Sequence, residues 1–198
     1  KLLVALFSID DKYRVCKKLD ELISLGHKNA TIGSYASRTA LRYNIDIDNP
    51  FCNQPLDYVL EKSLLKLCNF DEVFVKPSAK VLSFETVSLR KQELLIKGSQ
   101  TAGNLFETEN YFAQQVQEFI RIEIKKYRDN FEGSSEGLIL DWPSDYTLSG
   151  WLVSMKSGGA IRPHMHENGW ISGSIYINVP KSQIKDSGNL VVCVNTTN

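Results

Sequence analysis

The sequence predicts an α+β protein, a mainly helical region over residues 1–70 followed by a strand-rich domain over 71–198, and three observations predict it. Apolar residues recur every three or four positions through 10–25 and 31–43, the spacing of one helix face. After Asn69 the texture shifts to Val, Phe, Ser and Thr in short alternations, the pattern of a pleated surface. Residues 109–131 interrupt the strands with the clearest amphipathic helix in the chain, long enough to cover one face of a sheet.

Composition narrows the partners. Lys plus Arg equals Asp plus Glu at 23 each, so no net field recruits nucleic acid or an anionic membrane surface. A small molecule or a protein is the expected partner. Cys16, Cys52, Cys68 and Cys193 form no CxxC pair and read as reduced core thiols. The opening KLLVALF is too short to span a membrane and lacks a signal-peptide cleavage site, which points to a cytoplasmic protein. The chain does not start with Met, and SGNLVVCVNTTN reads as a turn and a strand that stops abruptly, so a piece of a longer frame, truncated at its C-terminal end, is expected.

In chain order, Tyr13, Val15, Cys16, Leu19, Leu22, Ile23 and Leu25 form the first helical stripe, with Gly26 where the helix ends. Ile32, Tyr35, Ala36, Thr39 and Ala40 form the second. Arg38 and Arg42 lie four apart on its side, as a solvated face or a clamp for an acidic partner. Asn49-Pro50-Phe51 breaks the pattern, and Pro55 is suited to open a helix over 55–68. Residues 71–89 read as strands or extended loops around Pro77, and 99–106 as a turn region. In 109–131 the apolar face is Phe112, Val116, Phe119, Ile120, Ile124 and Tyr127, with Thr108 as N-cap and Gly133 beyond the end. Loop follows to 149, and a last strand pair is expected over 181–194.

The chemistry concentrates in residues 151–180, where His164 and His166 stand one residue apart. Alternation predicts strand, a break at Gly158-Gly159, a histidine strand stiffened by Pro163, and a further strand from 170 to 179. On a strand, His-x-His places both imidazoles on one side, about 7 Å apart at the backbone. Neutral imidazole is the commonest transition-metal ligand, so the pair suits iron, manganese, copper or zinc. The same spacing also occurs in histidines that only hydrogen-bond at a surface. Arg162 would share their face, while Glu167 would point to the other. Ser172, Ser174 and Tyr176 share one face of the next strand, where Tyr176 is either a hydrogen-bond donor to a ligand or a core residue with a wet hydroxyl.

Gly158-Gly159, His164-Met165-His166, Trp170-Ile171-Ser172-Gly173, Tyr176 and Val179-Pro180 together resemble the core of 2-oxoglutarate and Fe(II)-dependent oxygenases. IGSYASRTALRYNIDIDNPFC, PLDYV and GSQTAGNLFE look like the helical regions that precede that core in some members. The resemblance implies a double-stranded β-helix, or jelly roll, incomplete here at its C-terminal end. It implies Fe(II) held by His164 and by His166, the latter where many relatives carry a carboxylate, with 2-oxoglutarate as co-substrate and hydroxylation as the reaction. Tyr176, Ser172 and Arg162 become the residues expected to contact the co-substrate or substrate. No histidine follows His166, so the distal ligand and its neighbouring basic residue are missing from the expected site. A cupin is the alternative, although Trp170 and Ile171 stand where its motif expects glutamate. A metal-free jelly-roll interaction protein is the third reading.

Overall fold

The computed structural model describes residues 1–66, 69–83, 89–90, 92–108, 111–180 and 184–194. It is an α+β structure in which helices α1 (Leu2–Ser8), α2 (Lys12–Ser24) and α3 (Ala30–Tyr43) come first. Asp11 caps α2 by accepting from the Arg14 amide, and Asn29 caps α3 by accepting from the Ile32 amide. Their apolar stripes meet in one core, where Val15 and Leu19 are fully buried beside Leu3, Leu6, Phe7, Ile32 and Tyr35. Each such side chain contributes about 1.5–3 kcal/mol by leaving water. KLLVALF is thus a short helix that closes this core. None of the helices among the described residues is long and apolar enough to cross a membrane.

Beyond α3 the structure departs from the expected order of elements. Pro55–Tyr58 is a single 3-10 turn rather than the start of a helix over 55–68, and no regular element follows to residue 64. Leu56, Val59, Leu60 and Leu65 are all exposed, while Tyr58 and Leu64 reach two different cores, so the apolar side chains do not gather on the one face a helix would bury. Instead Tyr58 ties the segment down: its hydroxyl hydrogen-bonds Ser134, and its carbonyl accepts from the Tyr127 hydroxyl at 2.8 Å.

Residues expected as strand after Asn69 are helical. A π-helical turn over Asp71–Val75 runs into α4 (Lys76–Ser83). Phe70, Phe74 and Val81 line one side of this element and pack with Phe112, Val116, Phe119 and Leu152. Pro77 follows directly on the π-helical turn, a place where a helical ladder accommodates a residue with no N–H to give. Residues 84–88 lie outside the described residues.

The strands form one antiparallel sheet in the order β1-β2-β3, with β1 at Leu89–Arg90, β2 at Leu95–Thr101 and β3 at Val153–Ile161. The glycine pair does not end β3. Ile96 pairs with Ala160 and Gly98 with Met155, so the single residue Lys97 faces four residues of β3 in a wide bulge. Lys97 takes a φ of 49° and Gly158 a φ of 70° to make it. Gly159 has no room for a side chain, since a Cβ would lie 2.8 Å from the Lys156 carbonyl oxygen.

Helix α5 (Tyr111–Asn130) packs on the π-helical turn and buries Phe112, Ala113 and Val116, Phe112 and Val116 in the core that also holds Val81 of α4 and Leu152. Thr108 is not described as its cap; its hydroxyl donates to the Leu105 carbonyl at 2.8 Å, closing the 3-10 turn Leu105–Glu107. Residues 109–110 lie outside the described residues. Tyr127 and Phe131, at the far end of α5, join a third core around Phe51, Cys52, Leu138 and Ile139, built with the short helix α6 (Gly137–Leu140). Asn49 organises its approach: its amide donates to the Gly33 carbonyl and Ser37 hydroxyl, and its oxygen accepts from the Phe51 and Cys52 amides. Every polar atom of this buried side chain is satisfied.

The cysteines do not share one environment. Cys52 is buried, Cys16 half-buried and Cys193 exposed, which corrects the expectation of four core thiols; Cys68 lies outside the described residues. Burial pushes the Cys52 thiol up to about 11, with the Glu136 carboxylate adding to the effect. The thiolate is the nucleophile, so iodoacetamide near pH 8 is expected to label Cys193 well before Cys52. Peptide mapping of a time course checks the order, and equal labelling would contradict the buried placement.

No ladder includes residues 184–194, where a final strand was expected; Leu190, Val191 and Val192 are exposed there, and residues 181–183 lie outside the described residues.

Candidate metal site

β3 delivers the chain to the histidines and stops just short of them. The Arg162 amide donates to the Leu94 carbonyl at 2.9 Å, the last bond of the ladder; β2 begins there in a turn, with the Leu95 amide bonded back to the Gln92 carbonyl, so β3 has no further partner. His164 and His166 therefore lie on a loop rather than on the predicted strand. The two rings still come together, with centroids 5.0 Å apart and planes at 66°.

Each ring has its own support. His164 Nδ1 lies 2.8 Å from the Arg162 carbonyl oxygen. A carbonyl only accepts, so this bond requires the proton on Nδ1 and leaves the Nε2 lone pair free for a metal. A backbone acceptor behind a histidine is a common way to orient a ligand. His166 stacks on Trp151, with ring centroids 5.8 Å apart and planes within 21°. Loss of water around its ring lowers the His166 pKa below the ordinary imidazole value, and the neighbouring His164 lowers it further. Both effects favour the neutral form that binds metals.

The far side of the loop is fastened to the helices. The Gly169 amide donates to the His166 carbonyl at 2.9 Å, and the Thr31 hydroxyl, in the first turn of α3, donates to the Glu167 carbonyl at 2.9 Å. Trp170 then anchors the chain in the third core: its indole N–H donates to the Leu138 carbonyl at 2.9 Å, and its ring meets Phe51 edge to face. The Thr31 contact spans 136 residues and has no local signal in the sequence. T31V is expected to cost about 1 kcal/mol and to speed amide exchange at 164–169 while leaving α2 unchanged. Equal exchange in the two proteins would show that Thr31 does not hold the loop.

Residues 172–177 form no regular element, and burial alternates over 174–177. Ile175 and Ile177 pack into the core beneath α5, whereas Ser172, Ser174 and Tyr176 face outward. The segment makes no ladder bonds among the described residues, and Tyr176, 48% exposed, is not a core side chain. Arg162 has an exposed side chain and serves the site here through its carbonyl. No contact links Ser172, Tyr176 or the Arg162 side chain to the histidine rings among the described interactions.

The donor set is two imidazoles. They fit two positions on a divalent transition metal. Among the described residues, no group of three or more His, Cys, Asp and Glu side chains converges on one point. Glu167 contributes its backbone carbonyl to the Thr31 bond. Trp151 is the participant that the sequence reading left unassigned; its placement immediately before β3, opposite a histidine loop, was the available signal.

Comparison with known proteins adds one finding. No curated protein and no solved structure matches the chain. The family model described as "Putative 2OG-Fe(II) oxygenase" matches residues 149–194, a span that holds Trp151, β3, both histidines and Tyr176. Over that span the chain matches the 2-oxoglutarate and Fe(II)-dependent oxygenase family that its Gly-Gly, His-x-His and Ser-Gly motifs resemble.

Proposed function

We propose that the chain acts as a 2-oxoglutarate- and Fe(II)-dependent dioxygenase of the hydroxylase type, with His164 and His166 as two of the metal's ligands. The observation that carries the reading is the pairing of the two rings at 5.0 Å, with the His164 Nδ1 proton engaged by the Arg162 carbonyl. The family match over 149–194 supports the choice of metal and co-substrate. Fe(II) with 2-oxoglutarate would supply oxygen activation coupled to decarboxylation of the co-substrate. The chain's own residues hold and orient: the Arg162 carbonyl fixes the His164 tautomer, Trp151 backs His166, and Thr31 and Trp170 fasten the loop. By the resemblance, Ser172, Tyr176 and the Arg162 side chain, all exposed, would hydrogen-bond a co-substrate or substrate.

In this reading residues 71–198 belong to a jelly roll, with β3 and the 170–179 segment among its strands, and residues 1–70 form the helical region before it. The described strands make up a single three-stranded sheet. The substrate is a small molecule or a protein, neither nucleic acid nor membrane, in keeping with a formal net charge of zero, and the setting is cytoplasmic.

Anaerobic titration with Fe(II), then with 2-oxoglutarate, followed by absorption spectroscopy, tests the proposal. Bound Fe(II) that develops a new charge-transfer band with the keto acid is the expected result. Bound metal with no response to 2-oxoglutarate would favour a cupin-like metal protein, and no bound metal would leave a non-catalytic interaction protein.

A further inference from the structure

Trp151 is a large aromatic side chain left 41% exposed, and its one described ring contact is the His166 imidazole. Burial in the core therefore does not explain it. Its backbone is unusually well fixed for an exposed residue. On one side the Gly150 amide donates to Asn104 Oδ1 at 3.0 Å and the Gly150 carbonyl accepts from the Leu105 amide at 2.8 Å. On the other, the Leu152 amide donates to the Thr101 hydroxyl at 3.2 Å and its carbonyl accepts from the Thr101 amide at 3.0 Å. Leu152 itself is buried in the core under α5. Four hydrogen bonds thus clamp the residues either side of Trp151 and fix the backbone from which its indole reaches the histidine loop.

His166 needs such a support. His164 has the Arg162 carbonyl behind its Nδ1, but no hydrogen bond to the His166 ring is described; its neighbours are the Trp151 face and the edge of His164. A stack confines tilt of the ring while leaving its nitrogens accessible.

We infer that Trp151 is a positioning residue for metal binding, a platform that holds the His166 ring beside His164 in the orientation a shared metal ion requires. The inference rests on the proposed role of the two histidines. It gives the two ligands different supports, a carbonyl acceptor for His164 and an aromatic plane for His166, and it explains why an exposed tryptophan stands at the start of β3.

W151L, which keeps an apolar side chain without a ring, and W151F, which keeps a smaller ring, test it in three measurements against wild type. In metal-free protein, the His166 ring protons, assigned with H166A, should resonate upfield of those of His27 through the indole ring current and lose that shift in W151L. Co(II) binding by calorimetry should weaken about 10–100-fold in W151L, the usual effect of removing a group that orients a ligand, and recover most of the loss in W151F. The thermal midpoint should stay close to that of wild type in both variants, which separates positioning from a structural role. An absent ring-current shift, or Co(II) affinity in W151L equal to wild type, would overturn the inference while leaving the histidine site standing. Wild-type protein with no Co(II) binding that depends on His164 and His166 would overturn the functional reading, and the role of Trp151 with it.

Discussion

Gly137→Ala is expected to destabilise the protein by about 3–5 kcal/mol and to disturb the histidine loop from a distance. A Cβ at Gly137 would collide with the Pro50 carbonyl oxygen, a backbone atom that no rotamer change can move aside. Relief requires α6 to shift, which strains or breaks the bond from the Leu138 amide to the Phe51 carbonyl. Overpacking costs about 1–3 kcal/mol, and a buried hydrogen bond broken on one side costs about as much again. The effect does not end there, because the Leu138 carbonyl holds the Trp170 indole and Phe51 meets its ring. Urea unfolding measures the loss, and a changed Trp emission in the folded baseline reports displacement of Trp170. A variant as stable as wild type would show that the Pro50–Gly137 approach is looser than described.

Phe74→Ala is expected to cost a similar amount, about 3–5 kcal/mol, the usual range for truncating a buried phenylalanine. Phe74 is 1% exposed and lies between Phe70 and Phe119, the latter edge to face at 5.4 Å. It joins the π-helical turn to α5 and lies in the core that also receives Leu152, Ile175 and Ile177. Removing its ring leaves a cavity that three different elements would have to move to fill. Since single domains are stable by only about 5–15 kcal/mol, the urea midpoint should fall steeply. A loss below about 1 kcal/mol would mean that residues 71–75 are not packed as a helix against α5.

Helices α2 and α3 are legible from sequence because their stripes are strongly periodic and their ends carry ordinary signals, the Asp11 and Asn29 caps and a C-terminal Gly26 at φ 82°. Residues 71–83 are not, because Val73, Phe74 and Val75 favour strands locally, while packing against Phe112, Val116 and Phe119 decides for helix. The helix expected over 55–68 fails although the pattern was present, because Tyr58 and Leu64 are drawn to two different cores rather than to one face. At the site, the spacing of His164 and His166 suggested a strand, but they lie on a loop because β2, the partner of β3, begins in the turn 92–95 and leaves β3 nothing to pair with beyond Arg162. The supports of the loop were hidden. Thr31 to Glu167, Trp170 to Leu138 and Trp151 to His166 all join positions distant in sequence or separated by a turn, and local patterns do not encode such pairs.

The most direct test of the two-histidine site is a Co(II) titration, by calorimetry and absorption, of wild type, H164A, H166A and H27A. Saturable one-to-one binding by wild type, lost in H164A and H166A and retained in H27A, is the predicted result. Binding that survives in the H164A/H166A double variant, or no binding by wild type, would contradict it.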